Sequence, residues 1–385
     1  LGKNALYKIG EKLYEKKGYI DLRLQEREGA LFNLDRKIIL YDLTNTYMEG
    51  TGWKSDLAKY GHSKEKRMDC PLVTLGFVID GQGFPLASKV LRGNQMGPET
   101  LKDMLEELQK SLPDTGKAPI VIMDAGIGTQ GNLDMIREKG YDYLVVSRKH
   151  YDKEIDPDAM IEITDGKDRV IKAQLIKKDG EQILYCESAM RRKKEEAMKT
   201  RLQQRFESGL EKIRASLTKP RGTKNYDKVL IRLGKLQEKN NRVAHFYHIE
   251  VIRDPKNNRA VDLKWTVDTG LMEERFGGRY YLRTSRMDLG PSDIKSLYTT
   301  LTNVEDSFRS MKSDLGMRPI YHQKDLGIRS HLYITVLAYH VLQYLRHQLR
   351  GQGIHIRWAG LRERLMTHVR VTTSFTNDEG RRVFI

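Results

Sequence analysis

Between Lys37 and Arg148 the chain presents one order of elements that few folds accommodate: three strands, a helix, a strand, a helix and a strand. "KIILYDLTNTYMEG" reads as a short apolar strand that ends at Asp42 and opens into a polar turn. After a loop rich in Gly, Lys and Ser, "LVTLGFVID" and "FPLASKVL" form a β-hairpin around Gly81, Gln82 and Gly83. "GPETLKDMLEELQKSL" has helical periodicity, with Pro98 near its start, where a missing amide does little harm. "APIVIMDAG" is a buried-type strand ending in a second acid, Asp124; the helix "TQGNLDMIREKG" and the strand "YDYLVVSR" follow. This order predicts an α/β fold with a mixed sheet flanked by helices.

Near residue 150 the pattern changes. "RVIKAQLIKKDGEQILYCES" alternates apolar and polar residues around Asp179-Gly180, as antiparallel strands do. From Arg191 to Arg242 seventeen Lys and Arg face six acids, which marks a basic segment, and its helical spacing is broken by "TKPRGTKNYD". "HFYHIEVIRD" and "RYYLRTS" read as further strands, and "SHLYITVLAYHVLQYLRHQL" as a helix packed on the sheet. The domain expectation is a basic amino-terminal segment (1–30), the first part of a core (31–150), a β-rich insertion with a basic helical segment (151–285), the last part of the core (286–350) and a carboxy-terminal tail (351–385). The chain opens on Leu1 rather than Met, as a fragment would.

Two strands ending in Asp42 and Asp124 place acids at the carboxyl edge of one sheet, where ligand sites of α/β proteins gather. As neighbours they would stand about one inter-strand spacing, ~5 Å, apart. Carboxylates that close repel unless a cation lies between them, and oxygen ligands of this kind suit Mg²⁺ or Mn²⁺. A third acid from a crossing helix would complete a two-metal site. Glu305 fits that place, in "LYTTLTNVEDSFRSMKSDLGMRPIYH", read as a helix on which Tyr298, Glu305, Arg309 and Lys312 fall within about 60° of one another. Singly, each acid is as compatible with a turn, a cap or a solvated face.

The net charge of +16 suits a polyanion, nucleic acid first. No apolar run approaches the ~20 residues of a spanning helix and no secretory signal opens the chain, so the expectation is a soluble intracellular protein with no membrane partner. Cys70 and Cys186 are far apart and lack companions at zinc-ligand spacing, so neither a disulfide framework nor a structural zinc site is suggested. His62, His322 and His331 lack paired spacing and are assigned no metal; His322 is instead a candidate for DNA contact or a helix end.

The chain resembles the DDE transposases of bacterial insertion sequences, in the branch named for a Tyr-Arg-Glu-Lys signature. Tyr298, Glu305 and Lys312 stand at the signature's intervals, and Leu301 occupies the arginine place. "YDLTNTYMEG", "GHSKEKRMDCPL", "GFPLASKVLRGN" and "IVIMDAGIGTQGNL" resemble stretches of the same group in the same order, so the resemblance runs from Leu40 to His340. It implies an RNase H-like fold interrupted by the insertion. It implies Asp42, Asp124 and Glu305 as catalytic residues holding two Mg²⁺ or Mn²⁺ ions, with cleavage at transposon ends and strand transfer into target DNA. Tyr298, Arg309, Lys312 and His322 become candidates for contacts to double-stranded DNA. Trp265, in the insertion, stands between two readings, holding a flipped base or packing in a core. A homodimer in a synaptic complex, in the bacterial cytoplasm and on the nucleoid when bound, is expected.

Two other functions compete: a non-catalytic DNA-binding relative, and a structure-selective nuclease with the same metal site. "GIGTQG", Gly126 to Gly131, also matches a dinucleotide fingerprint in form. That motif belongs on the first strand of a βαβ unit, whereas a hairpin and a helix come earlier here. "RRKKEEAMKTRLQQR" is either a duplex-tracking face or a solvated helix with internal ion pairs.

Overall fold

The computed structural model describes all residues except 1, 35, 64–66, 110–118, 150, 165–168, 357, 370, 377 and 385. Contacts divide the chain into two units, residues 1–145 with 297–385, and residues 146–296.

The first unit is built on β1 (Ile38–Tyr47), β2 (Leu72–Asp80), β3 (Pro85–Arg92), β4 (Ile120–Met123) and β5 (Asp142–Ser147). They lie in the order β3-β2-β1-β4-β5. β1, β2 and β3 are antiparallel, and β4 and β5 run parallel to β1. This is the mixed, RNase H-like sheet that the resemblance implied. β2 is buried at every position, as a strand covered on both faces must be.

Alternation along β1 sorts its side chains. Ile39, Tyr41 and Leu43 join a core with Leu101, Met104 and Leu105 of helix α3 (Gly97–Gln109) and Leu133 and Ile136 of α4 (Gln130–Glu138). The Tyr41 hydroxyl lies 2.6 Å from Thr100 Oγ1 in that core. The opposite face belongs to α10 (Thr302–Ser313) and α11 (Asp325–Gly351): the Phe77 ring lies 5.9 Å from Phe308 and 5.7 Å from Tyr339. The amino-terminal helices α1 (Lys3–Glu15) and α2 (Lys17–Phe32) pack on α11 and β3. Burying each of these large side chains contributes about 1.5–3 kcal/mol.

The second unit has its own framework. β6 (Ile161–Thr164), β7 (Val170–Lys178), β8 (Glu181–Glu187) and β11 (Arg279–Thr284) pair antiparallel in the order β6-β7-β8-β11. β7 turns into β8 through Asp179 and Gly180, both at positive φ (52° and 73°), the geometry of a type I′ turn. β9 (Tyr247–Arg253) pairs with β10 (Ala260–Val267). The thirty-residue α5 (Ala189–Thr218) starts where Ser188 Oγ accepts from Arg191 N. Its Phe206, Leu210, Ile213 and Leu217 follow helical spacing into a core shared with Val229 and Leu233 of α6 (Tyr226–Lys239), Val243 of α7 (Asn241–Ala244), Leu263, and Met272 of α8 (Thr269–Arg275). α5 and α6 part at the segment whose composition predicted a break. α9 (Pro291–Thr299) leads out of this unit. Among the described residues, no helix is long and apolar enough to cross a membrane.

Candidate active site

Asp42 does not end its strand. β1 continues to Tyr47 because β2 goes on bonding to it, as far as the pair Tyr47↔Leu72. On the other side, the parallel ladder with β4 stops at Tyr41↔Met123, so Asp42 and Asp124 are the next residues, level on adjacent strands. Asp42 lies directly across from Phe77, the ring that packs on Phe308 of α10. Cross-strand partners share a face, which puts Asp42 on the side covered by α10. Asp42 is half-buried, and its Oδ1 accepts from Leu43 N at 2.7 Å. Asp124 is exposed; its carboxylate accepts from Gly126 N, and its carbonyl accepts from Ile127 N and Gly128 N.

The loop after Asp124 is packed tightly. A Cβ on Gly128 would come within 2.3 Å of Val145 Cγ2, so a larger residue would push the loop off β5. Asn132 holds it from the helix side, its Nδ2 donating to Ile127 O at 2.7 Å and Pro98 O at 3.0 Å. Asn132 was not singled out from the sequence, although a buried amide in the first turn of a helix has to find partners. These contacts account for "GIGTQG" as a buttressed turn. The amides that a pyrophosphate would need already bond to Asp124.

Glu305 is exposed in the first turn of α10, three residues before the buried Phe308. α10 packs on β1 and β2, and the segment after it is stitched to the end of β1: Thr46 Oγ1 donates to Met317 O at 3.2 Å, and Ile320 N to Tyr47 O at 3.0 Å. Tyr298, Glu305 and Lys312 do not share one helix, as the sequence suggested. α9 ends at Thr299 and α10 begins at Thr302. At the break the bonds shorten to i→i+3, with Leu301 N donating to Tyr298 O and Val304 N to Leu301 O, while Thr300 and Thr302 turn their hydroxyls onto Leu297 O and Thr299 O. Threonine hydroxyls that bond back to the main chain compete with helix continuation. Leu301 is buried there.

Of the other candidates, Arg309 is exposed and paired with Asp306 at 2.9 Å; Lys312 is half-buried near the end of α10. His322 packs edge-on against Tyr7 of α1 (5.1 Å) and beside His331 (5.6 Å), lining a cavity of about 180 Å³. Burial pushes both imidazoles below their ordinary pKa. Trp265 belongs to the second unit, where it packs against the α5–α6 core with the Arg214 guanidinium 6.0 Å from its ring.

In kind, three carboxylates match a hard divalent cation. Among the described residues, no group of three or more His, Cys, Asp or Glu side chains stands close enough to hold a metal. What the structure brings together is the aspartate pair, with the Glu305 helix lying across the same face.

The family described as Transposase DDE domain matches residues 33–341. Among solved structures, the chain is similar to the piggyBac transposase synaptic complex with hairpin DNA, at 9% identity and a TM-score of 0.42, covering 90% of this chain and 60% of that one. It is also similar to the Mos1 mariner paired end complex with Mn, at 12% identity and a TM-score of 0.21, covering 37% and 43%. This chain therefore spans less than two thirds of these neighbours' lengths. No curated protein matches. Asp42 and Asp124 stand level at the edge of an RNase H-like sheet, and the matched region takes in both of them and Glu305: the chain belongs to the transposase DDE domain family.

Proposed function

We propose that this chain is the catalytic core of a DNA transposase of the Tyr-Arg-Glu-Lys branch of bacterial insertion sequences, cutting phosphodiester bonds at transposon ends and joining the freed 3′-hydroxyl to target DNA. The observation that supports this reading is that Asp42 and Asp124 directly follow the last pair of the parallel β1–β4 ladder, with α10 packed on β1 and β2. Asp42, Asp124 and Glu305 would hold two divalent ions, Mg²⁺ or Mn²⁺, which supply an activated attacking oxygen and a steadied leaving oxygen. The Asp124 carboxylate is oriented by Gly126 N, and the Asn132-buttressed turn keeps it at the strand end. Lys312 and Tyr298 would hold phosphates beside the scissile bond, as contacts that position DNA without reading sequence. The working form is a homodimer joining two ends in the bacterial cytoplasm.

The test is cleavage of supercoiled plasmid in Mg²⁺ or Mn²⁺ by the purified chain and by Asp42→Asn, Asp124→Asn and Glu305→Gln. The wild type should cut, and each variant should lose roughly a thousandfold or more in rate, as expected when a several-kcal/mol contribution to the transition state is removed. Variants that cut at the wild-type rate would show that the metal site lies elsewhere.

A further inference from the structure

Two loops of the second unit are knitted side by side into a basic tip. The turn between α5 and α6 runs against the β9–β10 turn: Ala260 N donates to Lys224 O at 2.8 Å, Tyr226 N to Asn258 O at 3.2 Å, and Asn225 and Arg259 form a β-bridge. Asn258 Nδ2 adds a 2.6 Å bond to Asp227. Neither loop is free to reshape. A Cβ on Gly222 would lie 1.7 Å from Ser216 O, so the reversal after α5 is open to glycine alone. The other turn closes through Asp254, which accepts from Lys256 N at 2.9 Å and Asn257 Nδ2 at 3.2 Å.

The charge on this tip is one-sided. Residues 219–228 carry four cations and one acid, and residues 254–259 two cations and one acid. Both acids are already engaged, Asp227 with Asn258 and Asp254 within its own turn; these bonds hold the Asp254 carboxyl below its ordinary pKa, so it stays ionised and committed. Among the described residues, Lys219, Arg221, Lys224 and Lys256 make no ion pair. The amino-terminal half of α5 is different: there Arg191 pairs with Glu195 at 2.8 Å, as in an ordinary solvated helix.

We infer that the tip formed by Lys219, Arg221, Lys224, Lys256 and Arg259 is a second DNA-backbone grip, binding duplex phosphates through residues other than those of the candidate active site. This inference rests on the transposase reading and adds a surface to it. A tip whose backbone is fixed before binding loses little order on contact, and its cations release counterions from the duplex. Such contacts are indifferent to sequence.

The experiment is fluorescence anisotropy with a labelled 40-bp duplex, titrated at several salt concentrations with the wild type and with the triple variant Lys219→Ala, Arg221→Ala, Lys224→Ala. The variant should keep its melting temperature and lose on the order of tenfold or more in affinity near 0.1 M salt, with the slope of log K against log salt shallower by about 2 to 3. An unchanged slope in the variant, with the wild type binding tightly, overturns the grip and leaves the transposase reading standing. A wild type that binds no duplex at any salt overturns both.

Discussion

Asp42 on β1 and Asp124, the first residue past β4, each directly follow Tyr41↔Met123, the last pair of the parallel β1–β4 ladder. Each carboxylate is oriented by a main-chain amide, Asp42 by Leu43 and Asp124 by Gly126. Two negative charges held this way favour a cation between them.

Added Mg²⁺ or Mn²⁺ should therefore stabilise the wild type against heat. At ten times its Kd, a cation that binds only the folded state contributes about 1.4 kcal/mol. The Asp42→Asn, Asp124→Asn double variant should show no such response, and chelation should return the wild type to its metal-free melting temperature. A cation response equal in both proteins would place the binding elsewhere.

Lys312 tests the α10 face. Replacing it by Ala should weaken duplex binding uniformly across sequences and flatten the salt dependence by about one unit of slope. Sequence-dependent losses would mean that Lys312 reads bases instead.

What the sequence made legible and what it hid differ for physical reasons. Asp179-Gly180 was readable as a hairpin turn because only a few residue types accept positive φ, and here both sit there. The two acid-bearing strands were readable because a strand and an acid are local features, whereas their adjacency and the run of β1 on to Tyr47 are set by pairing with β4 and β2. The break at Thr300 and Leu301 did not. The apolar stripe Leu297, Leu301, Val304, Phe308 keeps helical spacing straight through it, while the interruption comes from threonine hydroxyls bonding back to the main chain. β10 was missed because "AVDLKWTV" exposes an apolar residue, Val261, and half-buries an acid, Asp262, where its register slips between Ala260 and Asp262. The burial of His322 against Tyr7 depends on α1, more than three hundred residues away in sequence.

If the chain is of the proposed Tyr-Arg-Glu-Lys branch, Leu301 stands where that branch has its signature arginine, and its surroundings say what an arginine there would do. Its side chain is 9% exposed at the α9–α10 break. Leu301→Arg should destabilise the protein by roughly 2–4 kcal/mol, the cost of burying a charge without a partner. Urea denaturation decides it: a variant as stable as the wild type, with tighter duplex binding, would show that the break opens to admit an arginine.

Asp80 sets a pH dependence of stability that is separate from the site. It closes the β2–β3 turn, its Oδ1 accepting from Gln82 N and Phe84 N at 2.9 Å each, while Oδ2 is buried with no hydrogen-bond partner among the described residues. Burial raises its pKa to about 6, against the lowering effect of those amides and of Arg36. The folded state thus holds a proton that the unfolded chain releases near pH 3.9. The corresponding stability is fully present below that pH, falls as pH rises through 6, and amounts to about 3 kcal/mol once lost. Asp80→Asn keeps an acceptor for the two turn amides and removes the titration. Between pH 4 and 7 the difference in unfolding free energy, wild type minus variant, should fall with rising pH by about that amount. A difference that stays flat would mean that Asp80 is ionised in the fold throughout this range, with Arg36 balancing its charge.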